Sequence, residues 1–233
     1  MNIALFTTEG LIMVLRWMHF FAGVVWIGHL YFLNFVQGAF MPEVDATVKN
    51  NVFAKLVPKV MFWFRWGAMG TFVSGVLMLW LSGFQFDAEI LNSAYGIYIY
   101  TGALLGTLMF LNVWLIIWPR QKIMIANGQG LLAGQPANPE VAKLAPQALL
   151  ASRTNVLFSI PLLFFMGASR HLSLEMAEGF SSTTLLIVLT AIILGLELNA
   201  IKGKLGPLTT VKGVIHCGLG LLVVLYGLIE FMA

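Results

Sequence analysis

Apolar residues gather into long runs, each closed by a short segment rich in polar, glycine or proline residues, and none keeps the two-residue alternation of a half-buried strand. Runs of about twenty apolar residues are long enough to cross the roughly 30 Å hydrocarbon layer of a bilayer as helices. The pattern predicts spans over about 10–37, 58–84, 97–118, 153–171, 183–202 and 211–232. Pro42 and Pro58 are expected to bracket the first loop, Pro119 to stop the third span, and the stretch Gly203 to Pro207 to separate the last two. Arg120 to Ser152 reads as the longest loop, with a Gly-, Gln-, Asn- and Pro-rich centre at Asn127 to Pro139, followed by PEVAKLAPQALLAS, which suits a short surface helix. The segment ahead of the first span has neither Lys nor Arg and no small-residue cleavage pattern, so a retained first helix is expected. The expected fold is all-α: a polytopic membrane helix bundle of about six transmembrane helices forming one integral membrane domain over residues 1–233.

Composition agrees. Of 233 residues, 59% are hydrophobic and 10% charged, with a mean hydropathy of +0.89, against roughly 25% charged residues in a soluble domain. The net charge of +3 and pI near 9.1 do not point to nucleic acid, because the basic residues are spread over short connections instead of forming one patch. Lys49, Lys55, Lys59 and Arg65 fall around the first connection, Arg120, Lys122, Lys143 and Arg153 around the third, and Lys202, Lys204 and Lys212 around the fifth. The second connection has Asp87 and Glu89, and the fourth has Glu175, Glu178 and Arg170. Positive charge stays on the cytoplasmic side, so both termini are expected outside, in the periplasm of a Gram-negative host. Trp63, Trp66, Trp114 and Trp118 then fall near the inner interface, Trp17 and Trp80 near the outer one. The single cysteine, Cys217, excludes a disulfide framework, a CxxCH haem attachment and a thiolate zinc cluster within these residues.

Candidate chemistry concentrates in the first span, LRWMHFFAGVVWIGHLYFLNF from Leu15 to Phe35, which carries His19 and His29. Ionisable side chains within a span face the bundle interior and mark functional sites. The two histidines sit roughly 15 Å apart along the helix and about 80° apart around it, too far to share one metal centre. With the expected topology, His19 and His171 form an outer pair, and His29 and His216 an inner pair. Two imidazoles on different helices at similar depth are what a six-coordinate b-type haem needs, so one or two such haems are expected, with these histidines as iron ligands. The bland alternative is that each histidine only hydrogen-bonds across helices.

Arg16 lies one turn before His19, and Arg16, His19, Gly23, Leu30 and Asn34 form one stripe in which Gly23 leaves room for a planar group against the backbone. Guanidinium binds carboxylates bidentately, so Arg16 and Arg170 suit the propionates of an outer haem and Arg65 those of an inner one; snorkelling to headgroups is the alternative. Glu197 is the acid well inside a span and a weak candidate for proton transfer, against structural pairing. Asn112 and Asn155 are expected to bridge helices, and the twelve methionines show no copper-transport ladder.

Four stretches carry a family resemblance: RWMHFFAGVVWIGHLYFLNF, FWFRWGAMGTFVSGVLML, LLGTLMFLNVWLIIWPRQKIMI and LLASRTNVLFSIPLLFFMGASRH. They resemble the membrane domain of the PuuD-type urate hydroxylases, the urate oxidase N-terminal family. The resemblance implies an oxidoreductase domain of the bacterial inner membrane, usually followed by a periplasmic c-type cytochrome domain. No CxxCH occurs in this sequence, so electrons are expected to pass to a separate c-type cytochrome or to other redox subunits. A fainter likeness, through the span-one pattern, links it to protoporphyrinogen-oxidising membrane proteins and copper-resistance D proteins. The leading expectation is a membrane haem b protein moving electrons; the alternatives are an enzyme acting on urate or a similar small molecule, and a metal or proton transport or assembly subunit.

Overall fold

The computed structural model describes residues 3–83 and 88–233; Asp87, expected in the second connection, lies outside them. No strand occurs among the described residues. The long helices are α1 (Thr8–Tyr31), α2 (Val57–Leu81), α3 (Ala94–Leu111), α4 (Trp118–Leu132), α5 (Val141–His171), α6 (Ser182–Lys202) and α7 (Val211–Met232). Joined with their short helical continuations they make six stretches long and apolar enough to cross a membrane. The chain is an all-α, multi-pass membrane protein.

Two expected loops are helical instead. The first stretch runs unbroken from Thr8 to Glu43 and the second from Ala46 to Leu81, each 36 residues, and the third runs from Ala94 to Leu132, 39 residues. The connection expected over Arg120–Ser152 shrinks to residues 133–140, and the expected surface helix is the start of α5. The physical reason lies in the prolines. Pro58 and Pro119 fall in the first turns of α2 and α4, directly after π-helical segments at Val52–Leu56 and Asn112–Ile117. A proline ring collides with the carbonyl four residues back and lacks the N–H that would bond it. In a π turn that carbonyl is not the one bonded, so the chain stays helical through the proline. At 1.5 Å per residue a 36-residue helix is roughly 54 Å long, well over the hydrocarbon thickness, so these stretches extend past the apolar layer.

The residues group into two compact units, 1–83 with 110–152 and 84–109 with 153–233. In the first, α1 and α2 run antiparallel in close contact. A Cβ on Gly67 would stand 2.9 Å from the Trp26 backbone nitrogen and 3.2 Å from the Ala22 carbonyl oxygen, and one on Gly70 would stand 3.0 Å from the Ala22 Cβ. Small residues at such a contact let the backbones approach where lipid gives no hydrophobic drive. Trp26, Leu30, Met61 and Phe64 are buried beside this seam. Along α2, Phe72 stacks on Phe110 with centroids 4.2 Å apart, and Trp66 meets Trp114 edge-on at 5.7 Å. Beyond the proline, Arg120 Nε donates to Gln147 Oε1 at 2.9 Å, tying α4 to the first turns of α5.

The second unit packs the 94–109 part of α3, the 153–171 part of α5, α6 and α7. Asn155 Nδ2 donates to the Met109 carbonyl at 3.0 Å, the helix bridge expected of it. Tyr100 and Thr190 share a hydroxyl hydrogen bond of 2.6 Å between α3 and α6. Near the chain's end, the Ala177 N–H donates to the Ala233 carbonyl at 2.8 Å.

Gly67→Leu is expected to force α1 and α2 apart and to destabilise the protein by about 1–3 kcal/mol, read as a lower melting temperature in detergent. Gly28→Ala, in the same first helix but with nothing within 4 Å of an added Cβ, is the matched change that leaves the melting temperature unreduced.

Candidate functional site

His19 is held by the α1–α2 seam. The Ser74 hydroxyl lies 2.6 Å from the Gly70 carbonyl and 3.1 Å from that of Thr71, so its one hydrogen points into its own helix. Towards α1 it presents a lone pair, and His19 Nδ1, 3.2 Å away, donates to it. The proton is thereby placed on Nδ1, and Nε2 keeps the basic lone pair. Gly75 makes the fit possible, because a Cβ there would stand 3.1 Å from His19 Cε1 and 3.4 Å from Nδ1. One turn along α1, a Cβ on Gly23 would be 3.9 Å from Thr71 Oγ1. The stripe predicted on α1 therefore turns His19 and Gly23 towards α2, with Leu30 and Asn34 buried further along and Arg16 exposed.

The next two histidines are anchored within their own helices. His29 Nδ1 lies 2.6 Å from the Val25 carbonyl, and His216 Nδ1 lies 2.7 Å from that of Lys212. A carbonyl only accepts, so both rings carry hydrogen on Nδ1 and present Nε2 as a base. His29 is half-buried and His216 exposed on the protein surface. His171 is the exposed last residue of α5. The first unit contains His19 and His29, the second His171 and His216.

Among the arginines, the Arg65 guanidinium lies 3.9 Å from the Trp118 ring centroid and 6.0 Å from that of Phe62, with a buried Nε that has no hydrogen-bond partner among the described residues. Trp26 meets Gly67 and His19 meets Gly75, so antiparallel running brings Arg65 to the axial level of His29. Exposed Arg170 covers the Tyr95 ring at 4.8 Å. Glu197 is buried at 7% exposure.

Asn34 belongs to a third π-helical segment, Phe32–Gln37, and its Nδ2 donates to the Leu30 carbonyl at 2.9 Å and to Ser152 Oγ at 2.8 Å. Two further groups escaped the sequence reading. Tyr226 donates its hydroxyl hydrogen to Glu230 on the exposed side of α7, a pair whose four-residue spacing was readable. Arg153, expected among the charges of the third connection, is buried at 6% exposure, with Nε and Nη1 lacking a hydrogen-bond partner among the described residues.

Among the described residues no three His, Cys, Asp or Glu side chains group to hold a metal ion. A hydrogen bond at Nδ1 orients an imidazole whose Nε2 binds a metal, and His19, His29 and His216 each have a contact at Nδ1.

With this geometry in view, the family description urate oxidase N-terminal matches residues 82–202. The chain belongs to the urate oxidase N-terminal family. The match runs from the end of α2 through α6, more than half of the 233 residues, and so takes in His171, Arg170 and Glu197 but not the two histidines of α1. No match was found among curated proteins or among solved structures.

Ser74→Ala removes the acceptor that fixes the His19 proton. The nitrogen chemical shifts of His19 are expected to move from the Nδ1–H tautomer towards a mixture, with those of His29 unchanged. Unaltered His19 shifts would remove Ser74 from this role.

Proposed function

We propose that this member of the urate oxidase N-terminal family is a membrane-embedded b-type haem protein, carrying one or two haems. In this reading it passes electrons to a periplasmic c-type cytochrome as part of a redox complex in the bacterial inner membrane, with both termini on the periplasmic side. The observation that carries the reading is the hydrogen bond from His19 Nδ1 to Ser74 Oγ, which leaves Nε2 basic inside an apolar span. A hydrogen bond at Nδ1 that leaves Nε2 free is what an axial iron ligand needs, while a bridge between α1 and α2 is the structural use of the same contact.

Bound haem would supply one-electron redox chemistry. The protein's own residues have the remaining tasks. His19, His29, His171 and His216 are the proposed iron ligands. Arg65, over the Trp118 ring and with no partner for its Nε among the described residues, is the proposed propionate partner at the His29 level, with Arg16 and Arg170 as further propionate partners. Gly75 leaves room for the His19 ring against α2.

The family description favours a second reading, in which the domain itself oxidises urate or a similar small heterocycle and buried Glu197 moves the proton. Urate consumption by membranes with and without the protein separates this from electron transfer alone.

Pyridine haemochrome analysis of the purified protein is expected to give haem b at one or two per chain, and its absence overturns the proposal. His19→Ala is expected to lower the haem content by one site's worth while the protein still inserts and melts near the wild-type temperature. Full haem content in that variant would exclude His19 as a ligand.

A further inference from the structure

A cavity of about 700 Å³ opens in the second unit among α5, α6, α7 and the Gly203–Leu208 turn. Its walls are apolar, with Leu157, Ile192, Leu196, Leu221 and Val224 among them, and Gly195 contributes no side chain. This volume lies within the roughly 300–1,000 Å³ of small-molecule sites. Gly195 and Val224 are themselves exposed, and Leu194 and Leu198 beside them are exposed on α6. The groove thus continues into a helix face that must meet hydrocarbon. One end is different. Lys204 lines it, with Lys202 and Lys212 exposed on either side in sequence, and none of its described lining residues is a carboxylate. Asn199, which with Thr154 is polar among the lining residues, has both amide atoms engaged with the Lys204 backbone, at 3.2 and 3.3 Å. Lys204 is therefore the charged residue that lines the groove.

We infer that this groove holds one acyl chain of an anionic phospholipid, with the phosphate seated on Lys204. The shape supplies a slot for a chain lying along α6 and α7, and an empty slot of this size in hydrocarbon forfeits contact on every wall. The charge selects the headgroup: a phosphate without a compensating cation gains from Lys204 and its neighbours, whereas a choline headgroup brings its own cation to the same place. Each lysine near an anionic surface contributes about 1 kcal/mol. The inference stands independently of any haem.

The test is native mass spectrometry of protein released from nanodiscs of equimolar phosphatidylglycerol and phosphatidylcholine. Wild type is expected to retain phosphatidylglycerol. Lys204→Gln is expected to retain about fivefold less. Gly195→Trp places an indole where an added Cβ meets nothing within 4 Å, so it fills the groove without disturbing a backbone contact and is expected to abolish retention. Wild-type retention in either variant, or recovery of phosphatidylcholine or a quinone in place of phosphatidylglycerol, overturns the assignment. Cys217, the one cysteine of the chain, lines the same groove and gives a readout that needs no variant. Its alkylation by N-ethylmaleimide is expected to be slower in phosphatidylglycerol nanodiscs than in phosphatidylcholine alone, and equal rates overturn the inference.

Discussion

The contact on which the first unit depends is the approach of two backbones where Gly67 meets the amide of Trp26. Inside a bilayer two helices gain little by hiding apolar surface, because lipid is as apolar as leucine, so they are held by close packing and by the polar groups that packing brings together. The absence of a Cβ at Gly67, and of anything larger than a methyl at Ala22, permits that distance. Once it is set, the next turns of α2 bring Thr71, Ser74 and Gly75 against Gly23 and His19. A polar contact and a steric allowance both follow from one seam of small residues.

The chemistry of the histidines is a consequence of what faces their other nitrogen. His29 and His216 use a carbonyl of their own helix, four residues back, so their tautomer is a local property that survives as long as the helix does. His19 depends on a serine 55 residues away in sequence, so its tautomer is a property of the helix pair. Ser74 can serve only because its own hydrogen is spent on α2 carbonyls. Such back-bonding by Ser and Thr is costly in water and natural in hydrocarbon, where every polar hydrogen needs a protein partner.

This difference also marks what the sequence allowed. Long apolar runs located every span, because hydrocarbon thickness demands them, and the four histidines stood out because charge is scarce in such runs. The bridging role expected of Asn155 is met by the Met109 carbonyl. The ends of the long helices were misread at Pro58 and Pro119, since a proline looks like a stop and nothing local announces the wide turn that lets the helix continue. Ser74 was missed for the opposite reason: a hydroxyl in a span is unremarkable until the facing helix is known. Arg65 was legible as a cation but not as one placed over the Trp118 ring, a contact made by folding two distant segments together.

The three π-helical segments, Phe32–Gln37, Val52–Leu56 and Asn112–Ile117, act as gears. Each accommodates one residue more than the α-helical pitch and so offsets the face of everything that follows by about 100°. Downstream of the last of them, Arg120 meets Gln147 and Gly128 meets Phe53. Losing a single residue from that turn would leave the helix intact in length and hydropathy yet rotate both residues off their partners. The extensions beyond the apolar layer are thus indexed to the membrane-embedded parts by residue count, and these few turns, far more than the loops, are where an insertion or deletion would be felt.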